Sequence, residues 1–140
     1  MDDLSKTLCF TGILMFLFSL LLAFLIPFVA SPRLGVSAHT TGIESGVALI
    51  AIGLLWPHLH FWNGFAQPTA HLLWISLYLV FAGMALGAVW ATGRSLPIAG
   101  GGISAAAWQE LTVRALLTVG SVGSTAAIIA VLVQWRWTVV

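Results

Sequence analysis

Apolar residues along this chain fall into four long runs, each bounded by charge, proline or glycine. Cys9 to Ala30 carries no charged side chain and lies between Lys6 and Arg33. About 20 apolar residues suffice to cross the roughly 30 Å of bilayer hydrocarbon, so this run predicts a spanning helix, kinked or ended at Pro27. It exceeds the apolar core of about 7–15 residues expected of a signal peptide, and its flank MDDLSK is not net positive, so it reads as a retained span. The second run covers residues 37–56 and is closed by Pro57. The third covers 71–91, opened after Pro68 and closed by Thr92-Gly93-Arg94. The fourth covers 111–134 and leads into Trp135-Arg136-Trp137, residues suited to a headgroup boundary because each is part apolar and part wet. Ser31 to Val36 is predicted as a short turn and Pro57 to Pro68 as a polar-aromatic hairpin loop. Gly93 to Ser104, with Pro97 and Gly100 to Gly102, is the longest non-helical stretch. The expected architecture is all-α: an integral membrane four-helix bundle forming one domain over residues 1–140.

Composition points the same way. Hydrophobic residues make up 60% of the chain and charged ones only 6%, against about 25% in an ordinary soluble domain. Too little charge is available to cover a water-facing surface. A net charge of +1 without a basic stripe excludes nucleic acid as a partner. Cys9 is the single cysteine, which excludes an intrachain disulfide and a thiolate metal cluster. Lys6 and Arg136 on one side balance Arg33 and Arg94 on the other, so the positive-inside count leaves the orientation open. Gly42 and Gly46, Gly83 and Gly87, and Gly120, Gly123 and Ser124 offer small-residue seams for close helix packing. Four spans leave little internal space, so an oligomer with sites between subunits is expected.

Candidate chemistry concentrates in Ser37 to Gly46, SAHTTGIESG. In a helix over residues 37–56, Glu44 falls within about 3 Å of the midplane and His39 about 10 Å from it. An ionisable group at the centre costs about 2.5–3.5 kcal/mol on the lenient insertion scale and by default indicates function. The face of His39 continues through Gly42, Ile43 and Gly46, while Glu44 points away towards Thr40, so the two do not form a direct acid–base pair. An imidazole above two glycines presents a flat patch against which a planar ligand held by its nitrogen could lie, as haem iron is held by a histidine. An interfacial histidine beside a routine packing seam is the plainer alternative. His58, His60 and His71 belong to the opposite boundary, and two histidines two residues apart make a weak metal signal.

The stretch PRLGVSAHTTGIESGVALIAIGLLWP (Pro32 to Pro57) resembles the hydroxylaminobenzene mutase family, as do AVWATG (Ala88 to Gly93) and LPIAGGG (Leu96 to Gly102). Styrene oxide isomerase is similar at greater distance. The resemblance implies a membrane-bound isomerase that converts an aryl hydroxylamine to an ortho-aminophenol without net redox change, placed in a bacterial inner membrane. It further implies haem b between the subunits of a homotrimer, with His39 as the axial metal ligand; Gly42 and Gly46 on the His39 face, and Gly87 level with it on the third run, are the candidates to lie beside the cofactor. Ser45 and Tyr78 occupy positions implied to be catalytic, and Glu44 stands in for a family carboxylate. The sequence departs from the family at Thr41, where a glutamate is usual, at Ser45, where an asparagine is usual, and at Tyr78 to Val80, where YAN is common.

The layer level with His39 also contains Trp90 and residues 114–118. Arg33, Arg94 and Arg114 lie on the His39 side, where they suit haem propionates or simply snorkel to the headgroups. The glycine-rich loop on that side is a candidate lid. Open iron on one face of the haem would act as a Lewis acid on the substrate oxygen. Three other readings stay open: an epoxide isomerase of the styrene oxide isomerase kind, a small proton-coupled multidrug exporter using Glu44, and a haem electron carrier. The last usually needs two axial ligands, and His39 has no partner at its level.

Overall fold

A computed structural model describes residues 2–62 and 64–138. Four long helices form: α1 (Asp3–Leu25), α2 (Pro32–Leu55), α3 (Ala66–Trp90) and α5 (Ala107–Thr138), with a single short turn of helix, α4 (Pro97–Gly100), before the last. All four long helices are apolar and long enough to cross a membrane, and no strand occurs among the described residues.

The helices start earlier than the apolar runs because capping, not hydrophobicity, sets a helix end. The Asp2 carboxylate accepts the Ser5 amide at 2.8 Å, so the polar first turn of α1 is already helical. Ser31 caps α2 and Pro32 occupies the first helical position, where its missing N–H is no loss. Residues 32–36, predicted as a turn, therefore belong to α2, and the α1–α2 connection shrinks to a 3-10 turn at Ile26–Phe28 and a few extended residues. In α3, Pro68 sits within the first turn, where an amide would lack an intrahelical partner in any case. Ala91 ends α3 in the left-handed region, with φ 56°, and the Thr92 amide closes back onto the Gly87 carbonyl at 3.1 Å.

On α1 the buried residues are Ser5, Leu8, Gly12, Met15, Ser19 and Leu22, alternating steps of three and four. This is the repeat of a coiled-coil seam, with small residues at every second position. α2 meets it with Gly42, Gly46 and Gly53. A Cβ on Gly46 would lie 2.9 Å from the Gly12 carbonyl oxygen and 3.0 Å from the Phe16 amide nitrogen, so the two backbones touch. Such contact replaces the hydrophobic drive that lipid cannot supply between helices. The Ser5 hydroxyl adds a 2.7 Å hydrogen bond to the Gly53 carbonyl. α3 packs on α2, and α5 packs on α3 through Gly120 and Gly123, both set against Ser76. Among the described residues α5 packs on neither α1 nor α2, so it lies at the edge of the bundle. The side chains of Trp135, Arg136 and Trp137, expected at the boundary, lie outside the described residues.

Gly46→Ala must force these backbones apart, since neither neighbouring atom belongs to a side chain that can turn away. Overpacking of this kind costs about 1–3 kcal/mol. Thermal unfolding in detergent should register it, with the outward-facing Val47→Ala remaining within about 0.5 kcal/mol of the parent.

Candidate functional site

His39 is turned towards α1 by the same three-and-four pattern that buries Ala38 and Gly42. Its Nδ1 lies 2.8 Å from the Ser19 carbonyl oxygen. A carbonyl only accepts, so Nδ1 carries the ring proton and donates it there. The Ser19 hydroxyl, 3.3 Å from Nδ1, donates to the His39 carbonyl at 2.5 Å. Main chain and ring of His39 are thus both tied to one residue of α1. The ring is half-buried, and Nε2, left with a lone pair, has no hydrogen-bond partner among the described residues. Fixing one imidazole nitrogen on a carbonyl so that the other is free to donate its lone pair is the arrangement in which proteins present a histidine to a metal.

The glycine stripe below the ring is not the open patch expected from sequence. A Cβ on Gly42 would come 2.6 Å from the Phe81 ring and 2.8 Å from Ser19 Cβ, and Gly46 is covered by α1. Both glycines exist for helix contact, so a planar ligand cannot lie on them within one chain. Gly87 is likewise filled: a Cβ there would meet Thr92 Oγ1 at 3.1 Å and Leu96 Cδ1 at 3.2 Å. The donor set suits a haem iron through Nε2, but the bed for the macrocycle is not Gly42 and Gly46.

The other candidates are dispersed. Glu44 is exposed on the outer face of α2 near the middle of that helix, and the Thr40 hydroxyl one turn back bonds the Val36 and Ser37 carbonyls instead. Ser45 is buried within the bundle. The Tyr78 hydroxyl donates to the Thr11 carbonyl of α1 at 2.8 Å. Thr11 and Ser19 are eight residues apart on α1, about 12 Å along its axis, so the structure does not bring Tyr78 and His39 together. Arg33 is exposed at the start of α2, beside Gly101. Arg94 and Arg114 line a cleft of about 350 Å³ with Ala107, Glu110 and Leu111, on α5 and its preceding loop rather than around His39. His58 and His60 are exposed, and His71 Nδ1 bonds the Gln67 carbonyl at 2.8 Å. No group of three metal-binding side chains occurs among the described residues.

Two residues that matter here are not singled out by the sequence reading. Ser19 positions His39, and the signal for it was a lone serine in FLFSLLL seven residues after Gly12 on one face of α1. Glu110 is the second. Its Oε1 accepts the Arg94 amide at 3.3 Å and the Ala105 amide at 3.1 Å. Its Oε2 accepts the Ser95 amide at 2.8 Å and the Ser95 hydroxyl at 2.6 Å. A buried carboxylate in the first turn of α5 therefore pins both ends of the loop, and the helix macrodipole favours its charge. Gly93 and Gly100 touch at the loop's centre, and Gly101 and Gly102 adopt φ of 61° and 86°. The loop read as a candidate lid is clamped in place.

The family profile described as Styrene oxide isomerase matches residues 4–136. Hydroxylaminobenzene mutase HabB of Ectopseudomonas oleovorans is 38% identical over 108 residues, covering 76% of this chain and 66% of the relative. Hydroxylaminobenzene mutase HabA of the same organism is 36% identical over 108 residues, covering 76% of this chain and 80% of the relative. The match thus spans just under two thirds of HabB. No solved structure matches the chain.

Proposed function

The chain belongs to the styrene oxide isomerase family, and from that premise we propose that it is a membrane isomerase that converts an aryl hydroxylamine to the ortho-aminophenol, with His39 holding a haem. The observation that carries this reading is the fixed tautomer of His39, whose Nδ1–H is committed to Ser19 and whose Nε2 is free. The names of the two relatives support the substrate class.

In the overall change the N–O bond breaks, oxygen bonds the ortho carbon, the proton on that carbon is lost and nitrogen gains one. Atoms balance and no external oxidant or reductant is consumed. A haem supplies a Lewis-acidic centre for weakening the N–O bond. Within the chain, Ser19 sets the ring plane and keeps the proton on Nδ1, so that Nε2 is always the donor atom. Arg33, on the same helix and nearer the boundary, would be the arginine to meet a propionate. The apolar helix walls exclude water, which suppresses its capture of a cationic intermediate. Thr41, Ser45 and Val80 differ from the family's usual residues, so the substrate is held by a different set of polar contacts. A homo-oligomer supplies the rest of the haem bed, since α1 and Phe81 already occupy the glycine stripe.

The test is incubation of the purified protein with hydroxylaminobenzene in the absence of reductant. Stoichiometric 2-aminophenol is expected. No turnover of it, together with conversion of styrene oxide to phenylacetaldehyde, would instead assign the epoxide chemistry of the family name. Glu44 takes no part in the proposed chemistry. Loss of function in Glu44→Gln with little change in His39→Ala would favour proton-coupled export.

A further inference from the structure

His39 does not line the cleft formed by Arg94 and Arg114, whose electrostatics are unbalanced. Arg94 and Arg114 both line one space of about 350 Å³, and Glu110 is the single acidic residue in that lining. Both Glu110 oxygens are already taken, by three backbone amides and the Ser95 hydroxyl. Neither arginine lies within ion-pair distance of a carboxylate among the described residues. Two exposed arginines bordering one partly apolar cleft leave positive charge there that an anion can balance.

Depth suggests what that anion is. Trp90, at the end of α3, and Trp108, in the first turn of α5, meet edge-on with ring centroids 5.2 Å apart, and paired tryptophans mark the headgroup level of a bilayer. Arg114 lies six residues beyond Trp108, about 9 Å deeper along α5, so its side chain must reach back to the polar zone. Arg94 enters from the loop on the outer side, held by its own amide on Glu110. The pair therefore brackets the level of the lipid phosphates, and guanidinium forks match phosphate oxygens in geometry and charge.

We infer that Arg94 and Arg114 form a binding site for the phosphate group of an anionic phospholipid, docked against the Glu110-clamped loop. The alternative source of the same chemistry is free phosphate, and the experiment separates the two. Protein purified in detergent is titrated with phosphatidylglycerol or phosphatidylcholine, and retained lipid is read by native mass spectrometry. At about 1 kcal/mol per arginine near an anionic surface, the double variant R94Q/R114Q should retain about 30-fold less phosphatidylglycerol than the parent. R94K/R114K keeps the charges, so it should retain most of the binding and separates charge from folding. Inorganic phosphate that fails to compete supports a lipid source. Phosphate that displaces the lipid from the parent supports the same site filled from solution. Equal phosphatidylglycerol retention by the parent and R94Q/R114Q overturns the inference. So does a double variant that loses bound haem while keeping its lipid, because the guanidiniums would then serve the haem carboxylates.

Discussion

Under the proposed function, His39→Ala is expected to lower formation of the ortho-aminophenol by more than about 100-fold, because it deletes the atom that would bind the metal, whereas changes one shell further out typically cost about 10–100-fold. The fold should survive it. The substitution removes one hydrogen bond, from Nδ1 to the Ser19 carbonyl, a loss of about 1 kcal/mol for a half-buried pair. The Ser19 hydroxyl keeps its bond to the main-chain carbonyl of residue 39, so the α1–α2 seam stays joined at this level. Activity and stability should therefore separate: a large fall in kcat/KM with nearly unchanged thermal unfolding. Ser19→Ala provides the graded comparison. It leaves the carbonyl that accepts from Nδ1 and removes only the hydroxyl, so a loss of about tenfold or less is expected. Equal activity in the parent and His39→Ala would remove the histidine from the chemistry.

Glu110→Ala is expected to be the most destabilising single change outside the helix seams. It leaves three backbone amides without their acceptor at a buried position, while the Ser95 hydroxyl keeps its bond to the main-chain carbonyl of residue 110. Each unsatisfied buried donor costs about 1–3 kcal/mol, and partial access to water brings the sum to about 3–5 kcal/mol. Glu110→Gln retains one acceptor oxygen and turns an amide donor towards donors, so it should fall between the parent and alanine. Limited proteolysis reads this most directly, since the segment 93–106 is held at both ends by that carboxylate. Cleavage there should accelerate in Glu110→Ala while the helices remain protected. Unchanged protection of the segment would mean that Gly93, Gly100 and the α4 turn hold the loop without it.

The four spans were legible because twenty-residue apolar runs have few alternatives in a bilayer, where the backbone must satisfy itself. Their starts were not, since Asp2 and Ser31 act through single capping bonds that hydropathy does not register. Periodicity placed His39, Gly42 and Gly46 on one face correctly but could not say what covers that face. Its occupants, Phe16 and Ser19 of α1 and Phe81 of α3, come from distant sequence. The seam of α1 was written in the chain as Ser5, Gly12 and Ser19 at seven-residue spacing, yet two serines and one glycine among leucines and phenylalanines give a weak hydrophobic signal. Tyr78 and Glu110 depend on bonds to residues 67 and about 15 positions away, which no local pattern reveals. Arg94 and Arg114 were grouped with Arg33 by depth alone. The structure sets Arg94 and Arg114 along one cleft on α5 and its preceding loop, with Arg33 on α2 outside that lining.

The most direct test is the visible absorption spectrum of the protein purified in mild detergent from haem-replete cells, measured beside His39→Ala. A Soret band that is present in the parent and lost in the variant, while both unfold at similar temperatures, is the expected result. A colourless parent preparation that isomerises at full rate would contradict the assignment of Nε2 as the donor to iron.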